Sequence, residues 1–124
     1  QGMEFGAHGR SHVPLPSVTG QARTDEIAGS GADLAAWLGA TPSSFAAPYG
    51  AVDAGVIREI GDHYAIAFGT RFAGARRSDA RHDIPRIDMH YFRVERAWRN
   101  FLEGGRVYFR ARQALRMVGQ AVRG

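Results

Sequence analysis

Residues Glu4–Leu15 read EFGAHGRSHVPL: a short apolar stretch that runs into two histidines four residues apart, His8 and His12, and then into a proline-braked loop. Gly6 and Gly9 let the backbone come close to whatever lies beside it. Two imidazoles at the exit of a strand are what a divalent metal on a strand-end rim requires. The plain alternative is that these are ordinary surface or core histidines, because in a chain with five histidines such a pair arises readily by chance.

The segments that follow decide what kind of strand this is. Pro14 and Pro16 exclude a helix interior, so Val13 to Thr19 reads as an extended loop. From Gln21 the pattern becomes helical, with Ile27, Leu34, Ala35 and Leu38 on one stripe, Asp25 and Glu26 in the early turns, and Gly39 as a stop. Gly29 and Gly31 lower the propensity of that helix. Thr41 to Gly50, TPSSFAAPYG, predicts a turn, a short strand around Phe45 and a Pro-Tyr-Gly corner. Asp53 is placed to cap a second helix that buries Val56, Ile57 and Ile60 and ends at Gly61, and Tyr64 to Phe68 suits a buried parallel strand. Alternating strands and helices predict an α/β domain whose sites lie at the carboxyl ends of parallel strands. His8, His12 and Tyr49 all fall at such ends, which is the case for one shared site.

Beyond Phe68 the signals weaken. Gly69 to Asp83 reads as a solvated loop carrying Arg71, Arg76, Arg77 and Arg81, with an electropositive lip over a polar substrate as the functional alternative. Ile84 to His90 predicts a last short strand. Val94 to Leu102 and Arg106 to Val122 predict helices, the second with Val107, Ala111, Leu115, Val118 and Val122 as its buried stripe and its arginines elsewhere. A basic amphipathic helix also suits an anionic membrane surface, but a terminal helix packed on its own domain is the commoner use.

Composition narrows the classes. At 124 residues, 44% hydrophobic and 23% charged, the chain is the size of one globular domain. It holds no transmembrane-length apolar run and no signal-peptide pattern, so its cell compartment is unknown from the sequence. With no cysteine there is neither a disulfide framework nor thiolate chemistry. All 16 basic residues are arginine, and the net charge is +4. The arginines are spread rather than interleaved with aromatics, so no nucleic-acid partner is expected.

Taken together, EFGAHGRSHVPL, the acidic-start helix, FAAPYG, the apolar strand and the Pro85-Arg86-Ile87 step resemble the polysaccharide deacetylase family, the NodB-homology domain, over roughly Met3 to Phe92. The resemblance implies a partial (β/α) barrel with parallel strands over residues 1–92, and a C-terminal helical extension over 93–124 packed on it. It implies a metal-dependent hydrolase that removes acetyl groups from carbohydrates, with His8 and His12 binding zinc or a similar divalent ion. Tyr49 matches the position whose backbone N–H holds the oxyanion, Pro48 and Gly50 shape that corner, and Arg86 joins them at the substrate. His90 is the one candidate for the late histidine that acts as general acid. The family's earliest motif, an apolar strand ending in Asp-Asp, supplies the third metal ligand and the base and has no counterpart here. Gly9 stands where many members have Ser or Thr, and Ala46 where many have Arg.

The resemblance therefore points to the carboxyl-terminal portion of a deacetylase domain, a poor catalyst as it stands unless Asp79, Asp83 or Asp88 replaces the absent carboxylate. An acetylated poly- or oligosaccharide is the implied partner. An open barrel edge predicts a homo-oligomer. The alternative reading is a non-catalytic remnant that binds glycan or protein.

Overall fold

A computed structural model describes residues 2–121, so Val122, assigned above to the last helix, lies outside the described residues. The chain forms two compact units: Gln1–Arg71 with Ala75–Pro85, and Phe72–Gly74 with Arg86–Gly124. Arg86–Phe92, read from the sequence as the end of the first domain, falls in the second unit together with the terminal helices.

A three-stranded sheet in the order β1 (Ser44–Ala46), β2 (Ile66–Phe72), β3 (Ile84–Arg86) belongs to the first unit in all but the last residues of β2 and β3. β1 and β2 are parallel, with Phe45 opposite Ala67. The strand expected from Glu4 is reduced to one parallel bridge, Ala7 to Phe45, closed by Ala7 N–H to Ser44 O and Ala46 N–H to Ala7 O, each 2.9 Å. That single bridge still sets the register of the histidine segment against the sheet.

One continuous helical path, α1 (Gln21–Thr24), a π-helical turn (Asp25–Gly29) and α2 (Ser30–Leu38), leads back to β1, and Gly39 ends it in the left-handed conformation as expected. The widened turn redirects the Ile27 carbonyl, which accepts from the Tyr64 hydroxyl at 2.7 Å and from Ser30 Oγ at 2.9 Å. Gly31 has a packing reason here: a Cβ would stand 2.5 Å from the Tyr64 hydroxyl. What propensity counts as a weakness in the helix is the contact that lets β2's approach strand close on it.

α3 (Ala54–His63) starts where expected, with Asp53 Oδ1 accepting from Val56 N–H at 2.8 Å. It does not stop at Gly61. The helix runs to His63 and Tyr64 N–H bonds to Ile60 O, while the His82 ring lies against Gly61, where a Cβ would be 3.1 Å away. Gly61 is a packing position, so its αL tendency is never used. α3 carries the chain between β1 and β2, and its Val56 and Ile60 join Ala7, Leu15, Ile27, Phe45, Ala47, Tyr64 and Ala67 in one core. Fully burying such a Val, Ile, Leu or Phe side chain contributes about 1.5–3 kcal/mol.

β2 begins at Ile66 and extends to Phe72, so the loop expected from Gly69 is shorter. β3 ends at Arg86, and Met89–Phe92 form a 3-10 turn where a strand was expected. Asp88 redirects the chain there by accepting from His90 N–H at 2.9 Å.

The second unit holds α4 (Glu95–Leu102) and α5 (Val107–Ala121) around Phe72, Phe92, Phe101 and Phe109. The buried face of α5 is not the aliphatic stripe read from the sequence. Val107, Leu115 and Val118 are 85%, 64% and 63% exposed, whereas Phe109 is buried and Arg112 and Arg116 are half-buried. The arginine stems cover aromatic faces, with the Arg112 guanidinium 5.3 Å from the Tyr91 and Tyr108 ring centres and Arg116 5.9 Å from Phe72. A binary pattern scores arginine as polar; its long stem and planar head allow it to pack on rings.

Candidate active site

The first unit brings three of the expected site residues together. The His8 and His12 rings meet edge to face at 4.9 Å between centroids, and the His12 and Tyr49 rings at 4.7 Å. His8 Nδ1 lies 2.6 Å from Ala46 O, at the end of β1. A carbonyl only accepts, so Nδ1 is the donor here and Nε2 is the ring nitrogen left over for a ligand. The bridge at Ala7 delivers His8 to that carbonyl, so pairing of the backbone sets the ring's tautomer.

Among the described residues the two non-glycine positions with positive φ are His12 (57°) and Tyr49 (58°). Left-handed backbone costs an ordinary L-residue roughly 1–2 kcal/mol. Strain at two residues whose rings touch marks this spot as one the surrounding structure holds on purpose. Tyr49 sits in the 3-10 turn Pro48–Gly50, whose own bonds run from Gly50 N–H to Ala47 O and from Ala51 N–H to Pro48 O; the Tyr49 amide is in neither. Pro48 is fully buried, Tyr49 is 68% exposed, and Gly50 takes a φ of 65° with Thr70 against its Cα. Next to His8 an open cleft of about 420 Å³ is lined by Glu4, Ala7, Ser44, Phe45, Ile66 and Phe68.

One participant was read from the sequence only as a helix-dipole acid. Glu26, buried on the π-helical turn, accepts from Arg10 N–H at 2.9 Å and Ser11 N–H at 3.0 Å on Oε2, and from the Ser11 hydroxyl at 2.5 Å on Oε1. Burial pushes its carboxyl pKa up, but the bonds from Ser11 and Arg10 outweigh burial and hold it below the usual value. The Arg10 side chain turns away to a bidentate pair with Asp33, at 2.7 and 2.8 Å. The signal that could have found Glu26 is the turn it sits in, one residue out of phase with the apolar stripe.

Arg86 and His90 belong to the second unit, where His90 is exposed with its ring 5.6 Å from Tyr91. Of the carboxylates considered as a third ligand, Asp79 bonds the Arg71 guanidinium and Arg76 N–H, both at 2.6 Å, and the Arg71 bond leads in lowering its pKa. Asp88 bonds His90 N–H and, at 3.1 Å, Arg116. The two imidazoles are the residues present that could hold a metal ion. Among the described residues no group of three His, Cys, Asp or Glu side chains is placed to complete a site.

Comparison with known proteins bears on the family and the fold. The chain matches a family model described as polysaccharide deacetylase over residues 1–65, just over half of its 124 residues. Its fold is similar to the crystal structure of a polysaccharide deacetylase from Bacillus cereus, with a TM-score of 0.60 and 24% identity, covering 66% of this chain. The chain spans only 26% of the length of that protein. No curated protein matches it. Residues 1–65 contain His8, His12, Glu26 and the Pro48-Tyr49-Gly50 corner, and on that match the chain belongs to the polysaccharide deacetylase family.

Proposed function

We propose that this chain is part of a metal-dependent carbohydrate deacetylase, with His8 and His12 as protein ligands to zinc or a similar divalent ion and an acetylated poly- or oligosaccharide as substrate. The observation that carries the reading is the 2.6 Å contact of His8 Nδ1 with Ala46 O, which occupies that nitrogen and leaves Nε2 as the ligand atom, with His12 and Tyr49 beside it. A bound divalent ion supplies Lewis acidity and lowers the pKa of a coordinated water. The chain's own residues orient the reacting group: in this proposal the Tyr49 backbone N–H, which takes no part in the turn's own bonds, donates to the developing oxyanion, and Pro48 and Gly50 shape the corner that carries it. The open cleft of about 420 Å³ beside His8 is within the size range of small-ligand sites. A third ligand comes, in this proposal, from a carboxylate outside the described set, on another chain segment or a second copy. Exposed Met3 and Phe5 beside the single-bridge edge support self-association, which solution scattering would measure.

Zinc titration by calorimetry on the chain and on a His8→Ala, His12→Ala double variant tests the metal site. Binding at micromolar or tighter that the variant abolishes is the expected result. No binding would sink the metal assignment for this chain. Acetate release from acetylated chito-oligosaccharides in the presence of zinc then separates a deacetylase from a glycan-binding remnant, which would bind the sugar and leave its acetyl groups intact.

A further inference from the structure

We infer that Glu26 is a positioning residue for the His8–His12 pair: its buried carboxylate holds the three-residue span between them in the one shape that brings the two rings together. The inference rests on the reading of that pair as metal ligands, and it deepens that reading by naming what pre-organises them.

The span is Gly9-Arg10-Ser11, and Glu26 takes bonds from two of its three residues. Both amides on Oε2 come from consecutive residues, so the carboxylate fills a small concavity of N–H groups, and the Ser11 hydroxyl closes on Oε1. Ser11 is bonded directly to His12, whose φ of 57° is disfavoured for a side-chain-bearing residue. Hydrogen bonds to an ionised acceptor are roughly twice as strong as neutral ones, which is the right size to hold one strained residue in place. The other end of the span is fixed separately, because Ala7 is paired to β1 and His8 Nδ1 to Ala46 O. His8 therefore needs no help from Glu26, whereas His12 has no comparable hydrogen bond of its own among the described residues. Arg10 could have satisfied Glu26 as an ion pair; its guanidinium instead goes to Asp33. The carboxylate is left to the backbone amides, so its effect is on loop shape. Glu26 in turn is aimed by the π-helical turn, which also carries Ile27 into the core. Helix defect, carboxylate, loop and ring pair form one connected path within the first unit.

The test compares the chain with Glu26→Gln, Ser11→Ala and, as a control from α2 that contacts only the Arg10 side chain of the loop, Asp33→Asn. Glutamine keeps the volume and one acceptor but loses the charge and an oxygen. In the metal-free chain, nuclear magnetic resonance reads amide exchange at Arg10 and Ser11 and the cross-relaxation between the His8 and His12 rings. Glu26→Gln is expected to lose that ring-to-ring signal and to speed exchange at both amides about tenfold or more. Zinc affinity, measured with the metal alone, is expected to fall about 10–100-fold, the usual effect of losing a group that orients a ligand. Ser11→Ala, which removes a single bond from an exposed residue, should move both readouts the same way by less, and keeps the proposal testable if Glu26→Gln does not fold. Asp33→Asn should leave both unchanged. Retention of the ring-to-ring signal and amide protection in Glu26→Gln would overturn the inference, as would a loss of melting temperature with zinc affinity intact. If the unsubstituted chain binds no zinc, the metal reading fails while the metal-free signals still decide whether Glu26 positions the pair.

Discussion

The two units of this chain are stabilised by different chemistry. The first packs aliphatic residues and Phe45 between a short sheet and helices, and holds a buried carboxylate and a buried tyrosine hydroxyl, each hydrogen-bonded. The second packs four phenylalanines with Tyr91 and Trp98 and covers them with arginines. Charge divides the same way. Seven arginines against nine acids leave the first unit at −2, and nine against three leave the second at +6. The strained backbone and the imidazole pair lie in the first unit, where hydrogen bonds to fixed backbone groups specify direction. Aromatic and cation–π contacts in the second tolerate a wider range of angles. A unit that must hold two rings at a set angle needs the directional kind.

The largest effects should come from the two cores. Phe45→Ala removes a ring that is 1% exposed between β1 and α3, and Phe92→Ala one that contacts Trp98, Phe101 and Tyr108. Each is expected to cost about 3–5 kcal/mol. Urea unfolding followed by amide exchange at Ala67 for Phe45→Ala, and by Trp98 fluorescence in a Trp37→Phe background for Phe92→Ala, would read them. A loss under about 1 kcal/mol at either position would break the assignment of that core.

Gly50→Ala should come next. The residue sits at φ 65° and an added Cβ would be 2.3 Å from Thr70 Cγ2, so the corner must shift at a cost of about 1–3 kcal/mol. The urea midpoint checks the cost. The same variant should reduce any acetate release more than it reduces zinc affinity, because it moves the Tyr49 amide and leaves the imidazoles.

Acid should act on the first unit through Glu26 and Glu59, whose folded pKa values are lowered. For Glu59, burial opposes the shift and is outweighed by bonds from Thr24 and Arg23. A lowered folded pKa adds stability that is fully present above the unfolded value, about 4.3, and is lost as pH falls through the folded one. Unfolding midpoints between about pH 5 and 3 should therefore drop, and less so in a Glu26→Gln, Glu59→Gln double variant. An equal slope in both would show that these carboxylates are not the linked groups.

The smallest contrast is between helix starts. Asp53→Ala removes the cap of α3 and should cost about 1 kcal/mol. Glu95→Gln breaks only the exposed i,i+4 pair with Arg99 in α4, worth about 0.3–0.5 kcal/mol. Thermal melts of the two variants would rank them.

Much of the first unit was legible because its cues are local. A cap at Asp53, a glycine stop at Gly39, a Pro-Tyr-Gly corner and apolar runs around Phe45 and Ala67 each act within a few residues, and the structure carries them where the chain predicts them. The errors share a cause. Gly61 and Gly31 read as a helix stop and a helix weakness, yet they are contact points for His82 and Tyr64, residues distant in sequence. α5 was read from its aliphatic period, and the rings of Phe72 and Tyr91 chose its arginine face instead. The strand before His8 was legible in composition, but only one of its residues is paired.

In the site, the spacing of His8 and His12 and the Pro-Tyr-Gly corner were written in the chain, since residue type and short-range backbone preference suffice to mark them. That His8 donates to Ala46, that His12 and Tyr49 share left-handed backbone and touching rings, and that Glu26 clamps the loop between the histidines came from folding alone. Each depends on partners 15 to 38 residues apart, and no local propensity specifies which distant carbonyl or carboxylate a side chain will meet.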